Sequence, residues 1–227
     1  KSLSYHINKS GFNAKKVSKK QIKFDIKNFK FFIEPHIEQG PVLEKKKIPL
    51  GIVTGIRGSF RFRDAFCKGE YLHSGATPYD YRKDSVVAVS NLVNEMNIFW
   101  KAQLKKNKDL VITFGQFFTD SEEHSFAKSS GLVNFCIDVR SNSKNTLEYT
   151  KKILIKKIKL IEKQTKTKFF LGKETNSEPA LMDKKLIKKF QIYSKMISMK
   201  FETMASGAGH DASVFANQGI PSLMLFI

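Results

Sequence analysis

Between residues 83 and 106 the apolar positions fall at helical spacing. Val86, Val89, Val93, Met96 and Trp100 follow one another at intervals of 3, 4, 3 and 4, one stripe on one helix face. A second helix is predicted over 144–165, where Leu147, Leu154, Ile158 and Ile161 share a face and lysines occupy the other. Branched residues over 48–56 predict a strand ended by Gly58. Over 59–69, Phe60, Phe62, Ala65 and Phe66 share the segment with Arg61, Arg63 and Lys68, mostly alternating, as in a half-buried strand. Further strands are predicted over 110–118, 133–139 and 168–171. The order from 59 to 171 is strand, helix, strand, strand, helix, strand, the ferredoxin-like βαββαβ plan.

On either side the pattern is weaker. Residues 29–33 are apolar, a helix end or a strand, and Lys45, Lys46 and Lys47 read as a turn. Residues 174–179 read as a polar linker, and 183–197 as a helix with Asp183 as its N-cap. The small residues 206–209 form a turn, 211–216 a short helix and 222–227 an apolar strand. The fold class is therefore α/β.

Composition narrows the classes of function. The chain has 227 residues, 41% hydrophobic with 20 Phe, enough for one large or two modest domains. No run approaches the roughly 18 apolar residues of a membrane span, and the start lacks a signal peptide's apolar core. Cys67 and Cys136 lie far apart in strand-like surroundings and read as reduced core residues of a cytoplasmic protein. The net charge of +19 raises the question of a nucleic-acid partner. It is nearly all lysine spread along the chain, with arginine only at 57, 61, 63, 82 and 140, so it reads as compositional bias rather than a phosphate-reading surface.

Three segments carry candidate chemistry. His36 stands between Glu34 and Glu38, before Gln39, Gly40 and Pro41; His73 and His210 each lie among glycines and small residues. A histidine flanked by carboxylates suits a metal ligand; a solvated surface histidine is the alternative. Arg140 can clamp a carboxylate with fixed bidentate geometry, or pair locally with Asp138, two residues away on the same strand face. Asp211 can cap the helix it begins.

Together these segments resemble the amidohydrolase branch of the M20 metallopeptidase clan: the N-carbamoyl-L-amino-acid hydrolases, β-ureidopropionases and allantoate amidohydrolases. The branch's signatures E-x-H-I-E-Q-G-P-V-L-E, H-[AS]-G-[AT]-T-P-x-x-x-R-x-D, D-[IV]-R-S and G-A-G-H-D-A stand here at 34–44, 73–84, 138–141 and 207–212, in order. The resemblance implies a catalytic α/β domain with two divalent ions (Zn²⁺, Mn²⁺ or Co²⁺) and an inserted lid that forms a homodimer. The lid would be 57–173, and 1–56 and 174–227 parts of the catalytic domain. It implies that His36 is a metal ligand, that Gln39 lies at the substrate, and that Arg140 holds the substrate carboxylate. His73 would stabilise the oxyanion in the partner subunit's site, and His210 with the Gly209 backbone would contact the scissile carbonyl. Arg82 and Asp84 are expected to pair and to cap the helix that follows.

The departures bear on activity. The branch also uses a His, a bridging Asp and a Glu-Glu pair upstream of the His36 motif, and a His downstream in G-[IV]-S-H. The 33 residues before Glu34 contain His6 and Asp25 and no Glu. The position of a common substrate-binding Asn is Ala127, with His124 nearby. The sequence thus implies an amidohydrolase of carbamoyl or ureido acids whose activity this chain alone does not carry. The alternative is a non-enzymatic dimerising module, and a weaker third reading is a basic nucleic-acid binder.

Overall fold

The structure is a computed structural model that describes residues 1–19 and 25–227. In chain order its elements are α1 (Leu3–Lys9), α2 (Ala14–Ser18), β1 (Phe32–His36), α3 (Val42–Lys46), β2 (Leu50–Ile56), β3 (Gly58–Lys68) and β4 (Leu72–His73). Then come α4 (Ser85–Lys105), β5 (Val111–Thr113), β6 (Phe117–Thr119), β7 (Lys128–Ser129), β8 (Leu132–Ser141), α5 (Lys144–Thr165) and β9 (Lys168–Phe170). The last are β10 (Glu174–Ser177), β11 (Ala180–Leu181), α6 (Lys184–Met196), β12 (Phe201–Ser206), α7 (Asp211–Asn217) and β13 (Ser222–Phe226).

The two striped helices pack as the periodicity predicts. Ala88, Val89, Leu92 and Met96 of α4 and Leu154, Ile158 and Ile161 of α5 are buried against Phe60, Phe62, Phe135, Ile137 and Val139 from the strands. Each such side chain contributes about 1.5–3 kcal/mol by leaving water. The sheet beneath them runs β10-β3-β8-β5, with β9 also on β3 and β6 also on β8, all antiparallel. That is the ferredoxin-like order, with two of its strands each broken in two.

The expected strand over 110–118 is interrupted at 114–116, where Gly115 falls, and the segment 174–179, expected as a linker, begins as the edge strand β10. A polar edge strand is held by backbone bonds to one neighbour, so side-chain patterning does not announce it. The register shift between Phe62 and Ala65 leaves Arg63 and Asp64 exposed, which explains the broken alternation there.

Asp84 caps α4 by accepting from the backbone N–H of Val86 and Val87 at 2.9 and 3.2 Å. Asp84→Ala should cost about 0.5–2 kcal/mol in urea unfolding; a loss within error of zero would mean the cap is replaced by water. Arg82 does not pair with Asp84 as expected: it donates to the carbonyls of Thr77 and Ser74.

The flanking segments build a second sheet. In it β1 pairs with β13 in parallel, β13 pairs antiparallel with β2, and β12 pairs with β2 in parallel. Its core holds Ile52, Val53, Ile56, Leu223, Met224 and Phe226. The three lysines at 45–47, expected as a turn, end the short helix α3 instead, and Lys47 closes it in the left-handed region (φ 53°). The chain crosses between the sheets at Gly58, where a β-carbon would overlap the backbone of Pro179 and Ser177. Only glycine permits that approach. Among the described residues no helix is long and apolar enough to cross a membrane.

Candidate functional site

His36 ends β1 and His210 directly precedes α7. Folding brings their rings to 4.6 Å between centroids, edge to face. The His210 side chain is 4% exposed. Its Nε2 is 2.9 Å from Ser206 Oγ and its Nδ1 3.8 Å from Glu34 Oε1. The other oxygen of Glu34 accepts the Ala212 N–H at 2.6 Å, so Glu34 anchors the start of α7 across 178 residues of sequence. That corrects the expectation for Asp211. The N-cap position is His210, without a side-chain capping bond, and Asp211 is the first helical residue.

Glu38 is likewise occupied by backbone. It accepts from the N–H of Val42 and Leu43 at 2.9 and 2.7 Å, and so caps α3. Gly40 makes room for this, since a β-carbon there would stand 2.8 Å from Glu38 Oε1. Between them Gln39 is exposed, with its backbone in the left-handed region (φ 54°). The carboxylates that made His36 conspicuous in the sequence therefore hold helix starts.

Hydrogen-bond partners assign the histidine tautomers. His36 Nδ1 faces the Ile37 carbonyl oxygen at 2.7 Å. A carbonyl only accepts, so the proton sits on Nδ1 and Nε2 offers its lone pair, the arrangement of a metal-ligating imidazole. His73 is the reverse: its Nδ1 accepts the N–H of Gly75 and Ala76, each at 3.2 Å. In the neutral ring the proton then sits on Nε2, free to donate outward. His73 is exposed on the β4–β7 ribbon, where Arg82 braces its loop. Among the described residues it makes no hydrogen bond or ring contact with His36 or His210. His124 bonds Thr119 Oγ1 at 2.8 Å in the segment leading to β7.

Burial, then the neighbouring His36, holds the His210 pKa below its ordinary 6.5, against the opposing pull of Glu34 and Asp211. A lowered pKa favours the neutral ring in the folded state. Its contribution to stability is fully present above about pH 6.5 and is lost as pH falls below that toward the folded value. Wild type should therefore lose more stability than His210→Gln between about pH 7.5 and about pH 5 in urea titrations. Equal losses would contradict the shift.

Arg140 makes the local pair with Asp138 that its strand spacing allows. Its Nε and Nη2 reach Asp138 Oδ2 at 3.1 and 2.6 Å, and Arg61 Nε shares that oxygen at 3.2 Å. Its Nη1 donates to the Gly207 carbonyl at 2.5 Å, so this side chain of β8 touches the loop that carries His210. Gly209 is exposed, and a β-carbon on it would meet nothing within 4 Å, so the space beside it is open. Sequence reasoning missed Arg57, which lies between the two sheets and pairs side-on with Asp109 at 2.6–3.0 Å. No motif marks it; only the fold brings it beside Gly207.

Among the described residues no three His, Cys, Asp or Glu side chains stand close enough to hold a metal ion. Glu34 is engaged by Ala212 and faces His210, and His36 has no carboxylate turned toward its Nε2. These residues do not by themselves fit a two-metal centre.

Residues 9–227 match Peptidase family M20/M25/M40. The chain belongs to this family. Among its M20 relatives is the allantoate amidohydrolase of Escherichia coli (strain K12), 31% identical over 88% of this chain and 47% of its own length. Another is the N-carbamoyl-L-amino-acid amidohydrolase of Pseudomonas sp. (strain NS671), 31% identical over 85% of this chain and 45% of its own length. A crystal structure of a hydantoinase/carbamoylase-family amidase from Burkholderia multivorans superposes with a TM-score of 0.77 at 26% identity. It covers 86% of this chain and 46% of that one. The chain spans about half the length of the M20 proteins it matches.

Proposed function

We propose that this chain supplies the substrate-binding half of a divalent-metal amidohydrolase that cleaves the C–N bond of an N-carbamoyl amino acid or a related ureido acid such as allantoate. The observation that carries the reading is the contact of Arg140 with the Gly207 carbonyl, which sets a carboxylate-binding guanidinium beside the loop of the buried His210. Arg140 holds the substrate carboxylate, as a planar fork matched to two oxygens. Gln39, the Gly209 backbone and His210 contact the ureido group. His73 donates from Nε2 to the oxyanion that develops at the carbamoyl carbon. A divalent ion (Zn²⁺, Mn²⁺ or Co²⁺) in the whole enzyme would supply water activation, and His36 would be one of the residues holding it, through Nε2.

That His73 makes no hydrogen bond or ring contact with His36 or His210 among the described residues supports a homodimer in which each subunit lends its His73 to the other. Residues 57–173 then act as lid and dimer contact, with 1–56 and 174–227 in the catalytic domain. The free cysteines Cys67 and Cys136 support a cytoplasmic setting. A second reading, a dimerising module without catalysis, draws support from the separate core of the ferredoxin-like unit. A strictly monomeric sedimentation profile for residues 57–173 would count against it.

The test joins these residues to the part of the E. coli allantoate amidohydrolase that they do not cover. The fusion is assayed with allantoate and N-carbamoyl amino acids plus each metal. Ammonia release is expected. A fusion that melts cooperatively yet turns over none of the substrates would overturn the proposal.

A further inference from the structure

We infer that Arg57 is a second guanidinium for the substrate carboxylate, acting beside Arg140. The inference rests on the reading of Arg140 above. Both side chains approach Gly207. Arg140 Nη1 bonds its carbonyl at 2.5 Å, and Arg57 Nη1 stands 3.6 Å from where a β-carbon on that glycine would be. Gly207 is exposed, so both arginines border solvent-accessible space at one loop.

Arg57 is oriented for this. Its backbone N–H donates to the Ser206 carbonyl at 3.1 Å, which ties it to the end of β12. Its Nε and Nη2 are taken by Asp109, and Asp109 is itself held by the Asn142 N–H at 2.8 Å. Nη1 has no hydrogen-bond partner among the described residues and is absent from their buried unsatisfied atoms, so it donates toward solvent. A guanidinium with two edges fixed and one free is a directed donor that loses little freedom on binding an anion.

The charges agree. Arg57, Arg61 and Arg140 face Asp109 and Asp138, three positive groups against two negative, so one monocarboxylate neutralises the cluster. Asp109 offsets most of the charge on Arg57, so the contribution of Arg57 is a charge-assisted hydrogen bond rather than net attraction.

The test is NMR titration of ¹⁵N-labelled residues 1–227 with N-carbamoyl-β-alanine and, as control, its carboxamide. The arginine Nε–H signals and the backbone of 206–210 are followed. The acid should bind and the carboxamide should not. R57Q should weaken acid binding by about tenfold. D109N keeps the shape of the pair but releases the charge of Arg57, and should strengthen binding several-fold. These opposite signs separate the inference from a structural role, because both substitutions break the same ion pair. If both weaken binding, or neither changes it, Arg57 is a tie between the sheets and the inference falls. If R140Q leaves acid binding intact, or the carboxamide binds equally well, the reading of Arg140 fails instead. A wild-type chain with no carboxylate-dependent shift would remove both.

Discussion

Purified residues 1–227 are expected to release no ammonia above background from allantoate or N-carbamoyl amino acids, with Mn²⁺, Zn²⁺ or Co²⁺ supplied. Enzymes of this kind gain on the order of a million-fold or more over the uncatalysed reaction. That gain needs a metal-activated water and a base placed to take its proton. Among the described residues no group of three ligands exists, and a catalytic metal needs about three protein ligands and an open position. The carboxylates that flank His36 in sequence are committed elsewhere, Glu34 to Ala212 and His210, Glu38 to the start of α3. Neither is free to act as the base. What remains are the groups proposed above to bind and polarise a substrate, and such groups alone do not generate a nucleophile. Hydrolysis by the purified chain that disappears in His36→Ala would show that ligands have been misassigned.

Leu92→Ala is expected to cost about 2–5 kcal/mol, the largest stability loss proposed for this chain. Leu92 is 0% exposed in the core between α4 and the ferredoxin-like sheet, beside Val89 and Met96. Truncation there loses the transfer energy of the removed carbons and leaves a cavity that close-packed neighbours cannot fill. Trp100, the single tryptophan, is the natural probe. It packs on the same core and donates from Nε1 to the Leu110 carbonyl at 2.6 Å. Urea unfolding followed by Trp100 fluorescence should shift strongly in Leu92→Ala and little in Lys159→Ala, whose side chain is exposed. Leu223→Ala removes a side chain from the other core. If the two cores melt separately, it leaves the Trp100 transition in place and shifts only far-ultraviolet ellipticity. A Leu92→Ala transition within error of wild type would mean the core is loosely packed.

The parts of this fold that could be read from the chain are those whose own side chains specify them. The stripes on α4 and α5 pack into one shared core, so period alone places them. The strands β2, β3 and β8 bury alternate or continuous apolar residues and are legible for the same reason. β10 and β12 escaped notice because their identity lies in partners far away in sequence: Glu174–Ser177 pairs with residues 59–62, and Phe201–Ser206 with residues 50–56.

The site divides in the same way. His36, His73, Arg140 and His210 are conspicuous as residue types, and the fold joins the third and fourth motif segments, which carry Arg140 and His210, through the bond of Arg140 to the Gly207 carbonyl. The use made of Glu34 and Glu38 depends on which backbone N–H groups end up facing them. Arg57 gains its meaning only from Asp109 and Gly207, 52 and 150 positions away.

The most direct test of the proposal that these residues bind substrate but do not themselves form a metal centre is calorimetric titration of residues 1–227 with Zn²⁺ and Mn²⁺. At most one weak site is expected. His36→Ala should leave the melting temperature in saturating metal almost unchanged, since a ligand held weakly adds little to the folded state. Two tight sites per chain, with metal-dependent stabilisation abolished by His36→Ala, would contradict the account.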